Sequence, residues 1–296
     1  MECMLSKKEK FHQQEWIDFI GFEPPVPSPE YTVLEWVSLP CCERQKIQYP
    51  SRDGKMVAAY LYLPANRSKK YPGIVVSHQT GMVNIDEAAG LAGNPELNLG
   101  EYLAAKGEFY VICPMNWIYY YTPEGFPESL YMFQKEYPGR KGMARMMEDS
   151  MDAVSLLQNL PGIDPERIGA AGHSLGGKLS FYLTAFDERI KASACSEFGI
   201  GIDHCNYCDP QYLGSEIKEP DFGLSHHDLL GLIAPRPLCL CAGEAVDGER
   251  SLPYIRQAQA VFPEGALFFL NHGKGHTVPA DVKEEIYQFM KTNLTF

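Results

Sequence analysis

The stretch Arg167-Ile-Gly-Ala-Ala-Gly-His-Ser-Leu-Gly-Gly-Lys178 decides how this chain is read. Arg167 to Ala171 reads as a short buried strand and Leu175 to Ala185 as a helix, which leaves Gly172-His-Ser-Leu-Gly176 as the turn between them. A serine on so tight a strand-to-helix turn is held in a strained backbone conformation that projects its hydroxyl clear of the sheet. Gly172 and Gly176 keep side chains away where strand and helix pass closest. The helix that begins there presents free N–H groups and the positive end of its dipole. A hydroxyl beside a site that welcomes negative charge is a nucleophile, and Ser174 is read as one. The five-residue pattern alone is common; its place between a strand and a helix carries the argument.

The same alternation extends to both sides. Arg44 to Tyr49 and Met56 to Leu63, separated by Ser-Arg-Asp-Gly, read as an antiparallel hairpin, with Asp53-Gly54 as the turn signal. Gly73 to Ser77 is a continuous apolar strand of the kind buried on both faces. Leu99 to Lys106 reads as helix and Phe109 to Cys113 as strand. Met143 to Leu160 places Met147, Met151, Val154 and Leu157 at helical spacing. Ile190 to Cys195 reads as strand. Pro237 to Ala242, Ser251 to Phe262, Ala266 to Leu270 and Val282 to Thr292 complete a strand, helix, strand, helix series. A hairpin followed by repeated strand–helix units predicts an α/β class fold, a mostly parallel, doubly wound sheet with helices on both faces. Residues 1–43 form an N-terminal segment, with one amphipathic helix from Phe11 to Ile20 expected to pack on the main body or on a second subunit, so that a homo-oligomer is left open. Residues 44–296 form the main domain. Two stretches interrupt its alternation, near 117–140 and 198–233. Both follow strand C-termini, the edge at which ligands bind in such sheets, so both are expected to build a cap.

The chain has 296 residues, of which 45% are hydrophobic and 22% charged, with a formal net charge of −12. That composition is globular, and its acidity argues against nucleic acid or an anionic membrane as partner. No run approaches the roughly eighteen apolar residues of a membrane span, and the N-terminal stretch Met1 to Trp16 lacks the apolar core of a secretory leader. Nine cysteines without a repeating frame fit reduced thiols and a cytoplasmic setting better than a disulfide scaffold. Cys205-x-x-Cys208 beside His204 would need a second ligand pair to hold zinc. Cys239 and Cys241, the available pair, sit in an apolar run where cysteine behaves as a small hydrophobe, so no metal site is expected.

A serine nucleophile on a parallel sheet requires an acid and then a histidine further along the chain. Asp247, just past the strand Pro237 to Ala242, is the expected acid, with Glu244 as the alternative. His276, after the strand Ala266 to Leu270, is the expected base; His272 is read as structural. The backbone N–H groups of Leu175 and Gln79 are the expected oxyanion donors, Gln79 because it follows the strand ending at Ser77. Trp117, Tyr119 and Tyr120 are candidates for contact with substrate, and they suit the core of a cap equally well. His78, His173, His226 and His227 are read first as structural.

With these residues in place, the chain from about Arg44 onward resembles the α/β-hydrolases of the dienelactone-hydrolase-like and acetyl-xylan-esterase-like branch. The resemblance rests on Ser77-His-Gln-Thr-Gly81 with Asp86 to Pro95, on Gly172 to Gly177, on Ile233-Ala-Pro-Arg-Pro237 and on Gly275-His276. It implies the α/β-hydrolase fold and a serine esterase working through an acyl-enzyme on small-acyl or carbohydrate esters, without cofactor or metal. Dienelactone hydrolases proper use cysteine where this chain has Ser174, which speaks against that particular reaction. A lipase-type His-Gly-Gly-Gly loop is missing, and there is no room for the propeller of prolyl-oligopeptidase-like peptidases. A small amidase or peptidase with the same triad, or a non-catalytic binding protein on this fold, are the competing readings.

Overall fold

The computed structural model describes residues 6–295; residues 1–5 and 296, which include Cys3 and the beginning of the stretch read for a leader, lie outside the described residues. The N-terminal segment forms α1 (Lys7–Lys10) and α2 (Gln13–Ile20). These replace the single helix expected from Phe11, because His12 takes a left-handed φ of 49° and breaks it. α2 buries Trp16 and Ile20 against the main body. A strand not expected from the sequence follows, β1 (Thr32–Ser38). All seven of its residues are exposed, so it lacks the in–out alternation that would have marked it. The expected hairpin is β2 (Cys42–Pro50) with β3 (Met56–Pro64). Then come β4 (Tyr71–Ser77), α3 (Ile85–Ala88), α4 (Leu99–Ala104), β5 (Tyr110–Pro114), α5 (Glu128–Glu136) and α6 (Gly142–Gln158). The second half runs β6 (Ile163–His173), α7 (Leu175–Phe186), β7 (Ile190–Ser196), α8 (His226–Ile233), β8 (Leu238–Ala242), α9 (Leu252–Ala258), β9 (Leu267–Asn271) and α10 (Ala280–Leu294).

The strands form one sheet in the order β1-β2-β3-β5-β4-β6-β7-β8-β9. β1, β2, β3 and β5 pair antiparallel in succession, and from β5 to β9 every pairing is parallel. Strand residues alternate between the two faces. In β8, Leu238 and Leu240 join a core with Met147 and Leu157 of α6, Leu183 of α7 and Leu230 of α8. Cys239 and Cys241 point the other way, into a core with Leu103 of α4 and Ile286 and Met290 of α10. Both layers are apolar, and the inner strands β4, β5, β7 and β8 are buried on two sides, which is why they read as unbroken apolar runs.

The segment from 117 to 140 carries a small core of its own. Trp117 is fully buried, its ring centroid 4.6 Å from that of Phe133 on α5, and its Nε1 donates to the Gly142 carbonyl at 3.1 Å. Tyr120 donates its hydroxyl proton to Asp149 Oδ2 at 2.6 Å and accepts from Arg145 Nη2 at 3.1 Å. Arg145, itself buried on α6, reaches Asp53 of the hairpin turn at 2.8 Å. A charge buried this deeply is tolerated when it is paired and hydrogen-bonded on several sides. No helix among the described residues is long and apolar enough to cross a membrane.

Candidate active site

Ser174 sits between β6 and α7 with φ 57° and ψ −118°, a region that residues with a Cβ rarely occupy. Its N–H donates to the Ser196 carbonyl at 2.8 Å, which ties the turn to the end of β7. The glycines around it are required by space. A Cβ on Gly176 would stand 2.0 Å from the Ser77 carbonyl oxygen, and one on Gly172 would stand 2.3 Å from Gly176 backbone. Leu175 opens α7, so its N–H belongs to the first turn and has no partner within the helix.

Gln79 lies in the loop after β4, and its backbone is aimed by a buried histidine. His78 Nδ1 bonds the Gln79 carbonyl at 2.8 Å, and its Nε2 accepts the Asn116 N–H at 3.0 Å. These two bonds require a neutral ring with the proton on Nδ1. Burial, the largest influence, pushes the His78 pKa down to about 4 and favours that state. The Gln79 side chain donates to Glu87, so it is anchored away from the turn. Tyr119 reaches the same loop, its hydroxyl accepting from the Gly81 N–H at 3.2 Å and its ring 5.6 Å from that of His78.

His276 lies on the loop after β9. Its ring centroid is 4.5 Å from that of His173, the residue before Ser174, and its side chain is 41% exposed. The residue that grips this ring is Glu197, directly after β7: Nδ1 lies 3.4 Å from Glu197 Oε2. Among the described residues the ring has no hydrogen bond to the Ser174 hydroxyl; bonds of this type are commonly long before substrate binds. Glu197 is fully buried and has φ 47°, a second strained residue at the same edge of the sheet. Its carboxylate accepts from the N–H groups of Gly243, Val246 (2.7 Å) and Asp247 (3.3 Å). Burial opposes its ionisation. The bond to His276 and the three amides outweigh that opposition and hold its carboxyl below the ordinary glutamate range.

Two expectations are corrected here. Asp247 does not face His276. It is 4% exposed, and its oxygens accept from the N–H groups of Phe198 (2.9 Å), Gly199 (2.7 Å) and Ile200 (2.8 Å) and from the Ser251 hydroxyl (2.9 Å). Glu244, the alternative, bonds the Asn271 side chain and the Glu249 N–H. The loops after β7 and β8 therefore hold each other through exchanged carboxylates: Glu197 caps the amides of 243–247, and Asp247 caps those of 198–200. Trp117 and Tyr120 are committed to the core and to the Arg145–Asp149 network, which leaves Tyr119 as the member of that aromatic trio beside the Gln79 loop. Ser196-Glu197-Phe198 directly follows an expected strand, one strand before the position where Asp247 is expected to act, and both positions satisfy the order nucleophile, acid, histidine.

Three further histidines have structural partners. His173 Nδ1 meets Ser196 Oγ at 3.1 Å, His226 bonds the Ile200 carbonyl and the Tyr182 hydroxyl, and His227 stacks on Tyr254 with 4.3 Å between centroids. Among the described residues, no group of three or more His, Cys, Asp or Glu side chains is arranged to hold a metal.

A parallel sheet with a strained serine at a strand-to-helix turn and a carboxylate-gripped histidine beside it defines an α/β-hydrolase. Residues 57–204 match the model of the dienelactone hydrolase family. The chain belongs to that family. It is 27% identical over 167 residues to YtaP of Bacillus subtilis, a protein named as a hydrolase, an overlap covering 52% of this chain and 54% of that one. It thus spans about half the length of the curated relatives it matches. Among solved structures, a glucuronoyl esterase from Solibacter usitatus superposes with a TM-score of 0.72 at 16% identity, covering 96% of this chain and 92% of the other. Acetyl xylan esterase 1 from Thermoanaerobacterium superposes with a TM-score of 0.59 at 16% identity, covering 97% and 94%. At these identities the likeness is one of fold.

Proposed function

We propose that the protein is a serine carboxylic-ester hydrolase that works through an acyl-enzyme on small-acyl or carbohydrate esters. The observation that carries this reading is the His276 ring, held at Nδ1 by Glu197 and set against the residue preceding Ser174. In the mechanism, His276 takes the Ser174 proton as Oγ attacks the ester carbonyl, then returns it to the leaving alcohol; a water repeats the cycle to release the acid. Glu197, in place of Asp247, fixes the tautomer with the Nδ1 proton and stabilises the imidazolium. The N–H groups of Leu175 and Gln79 receive the oxyanion, each donor worth about 2.7–4 kcal/mol in sites of this kind. Asp247 serves this site indirectly, by holding the loop that carries Glu197. The segments 117–140 and 198–233 flank the strand ends as the cap, with Tyr119 as the residue that supports the oxyanion loop.

Fluorophosphonate labelling tests the reading. Labelling is expected at Ser174 in the folded protein and none in Ser174→Ala; folded protein that stays unlabelled overturns it. A panel of p-nitrophenyl acetate, butyrate and octanoate, acetylated xylose oligomers and aminoacyl anilides then sets the substrate class. Turnover of the short esters or the sugar acetates is expected, and turnover of anilides alone would make the protein an amidase.

A further inference from the structure

Behind the site, a lysine and a cysteine that ester hydrolysis does not use are in contact. Lys178, one turn after Ser174 on α7, is only 3% exposed. Its Nζ donates to the Phe198 carbonyl at 2.9 Å and to Cys205 Sγ at 3.1 Å, and it lies 4.7 Å from the Tyr207 ring centroid and 5.4 Å from that of Tyr212. Among the described residues no carboxylate is in direct contact with it. Burial is the largest influence on this ammonium and holds its pKa below the ordinary lysine range, so the neutral amine is easier to reach. Cys205 is different: it is partly exposed, and its Sγ also bonds Asn206 Oδ1 at 3.2 Å. A partly exposed sulfur beside a cation is the setting in which cysteines are oxidised. Solvent-borne oxidant can thus reach the sulfur on one side while an amine stands against it on the other.

We propose that Cys205 and Lys178 form a peroxide-sensitive modification site that closes to a sulfenamide cross-link between Sγ and Nζ. In the first step the Cys205 thiolate attacks hydrogen peroxide: an S–O bond forms, the O–O bond breaks, and the departing hydroxide takes a proton from the Lys178 ammonium, so that sulfenic acid, water and a neutral amine result. In the second step the neutral Lys178 amine attacks that sulfur. The S–N bond forms, the S–O bond breaks, and the departing hydroxide takes a proton from nitrogen to leave as water. The thiol and the amine each lose one hydrogen, and the peroxide is reduced to two waters. Two equivalents of a thiol reductant reverse the reaction, returning the thiol and amine and forming the reductant's disulfide.

The cross-link reaches the ester chemistry through the backbone, and this part rests on the proposed function. Lys178 braces the carbonyl of Phe198, the residue after Glu197, whose N–H is one of the three held by Asp247. Drawing Nζ to bonding distance from sulfur and removing its charge weakens that brace, so hydrolysis falls.

The experiment treats the reduced full-length protein with hydrogen peroxide, then maps peptides by mass spectrometry and follows p-nitrophenyl acetate hydrolysis. The expected product has lost about two mass units, with the peptide bearing Lys178 joined to that bearing Cys205, and dithiothreitol restores the starting mass. Cys208→Ser is expected to form the cross-link as the wild type does, whereas Cys205→Ser and Lys178→Met form none. Cys205 found as sulfenic or sulfinic acid with Lys178 still open to trypsin overturns the proposal. A two-hydrogen loss that disappears in Cys208→Ser also overturns it, since the bond is then a Cys205–Cys208 disulfide. The peptide map of the wild type decides the matter whether or not the protein hydrolyses an ester.

Discussion

Glu197 and Asp247 are both buried carboxylates at neighbouring strand ends, and their hydrogen bonds assign them different work. Glu197 meets an imidazole as well as amides, whereas Asp247 meets three amides and a hydroxyl. Glu197→Gln should therefore lower kcat by orders of magnitude, about 10⁴ where the acid of such a triad has been neutralised, and should also lower the melting temperature, because one face of the new amide must turn N–H₂ toward the backbone donors of 243–247. Asp247→Asn should act first on stability. Turning an amide N–H₂ toward backbone donors costs roughly 1–3 kcal/mol, visible as an earlier denaturant midpoint, with a smaller loss of kcat in the fraction that remains folded. A larger kcat loss in Asp247→Asn than in Glu197→Gln would return the role of acid to Asp247. Tyr119 and Trp117 separate in the same manner. Tyr119→Phe removes the acceptor for the Gly81 N–H and should show in kcat; Trp117→Ala empties a buried site and should cost about 3–5 kcal/mol of stability.

Among the elements, the turn from β6 into α7 tolerates least. Gly176→Ala would drive a methyl into the Ser77 carbonyl, and neither backbone can retreat without moving β4 or α7. Soluble expression should fail, or the melting temperature should drop sharply, whereas alanine in place of an ordinary helical glycine is usually stabilising. The elements of the parallel sheet were legible because each strand is an apolar run bounded by turn residues, and the helices show their spacing. β1 was not: its stability comes from pairing with β2 alone, and pairing leaves no mark in side chains that all face solvent. The elbow was legible because its glycines and serine are chemically dictated. The carboxylate partner of His276 was not, because choosing between Glu197 and Asp247 depends on which way a carboxylate turns at the end of a strand. At Glu197 a left-handed φ of 47° makes that choice, in a conformation whose usual signature is glycine.

At the scale of the whole molecule, three histidines are buried in neutral form. Burial, the largest influence on each, lowers the pKa to about 4 at His78 and to about 3 at His173 and His226. In the unfolded chain each returns to about 6.5, so between these limits the unfolded state binds more protons. Their contribution to stability is complete above about pH 6.5 and is lost as pH falls toward the folded values, each histidine adding a slope of about 1.4 kcal/mol per pH unit within its window. Glu197 contributes in the same direction at lower pH, stabilising above the ordinary glutamate pKa and losing that effect as pH falls through its depressed value. Thermal unfolding followed from neutral to acid pH should show the decline beginning near pH 6.5, before ordinary carboxylates titrate. A flat profile down to about pH 5 would contradict neutral burial of these rings.

The exchange of carboxylates between the loops after β7 and β8 also makes the site more fragile than the sheet beneath it. The bonds that aim Glu197 run between two connections beyond the strand ends, outside the paired ladder of the sheet, and connections open at lower free energy than the paired strands. During gradual denaturation, turnover should vanish while far-ultraviolet dichroism and buried-tryptophan fluorescence still report a native sheet. Residual activity would then be an early gauge of the protein's condition in storage or in a stability screen, giving warning that a melting curve gives too late.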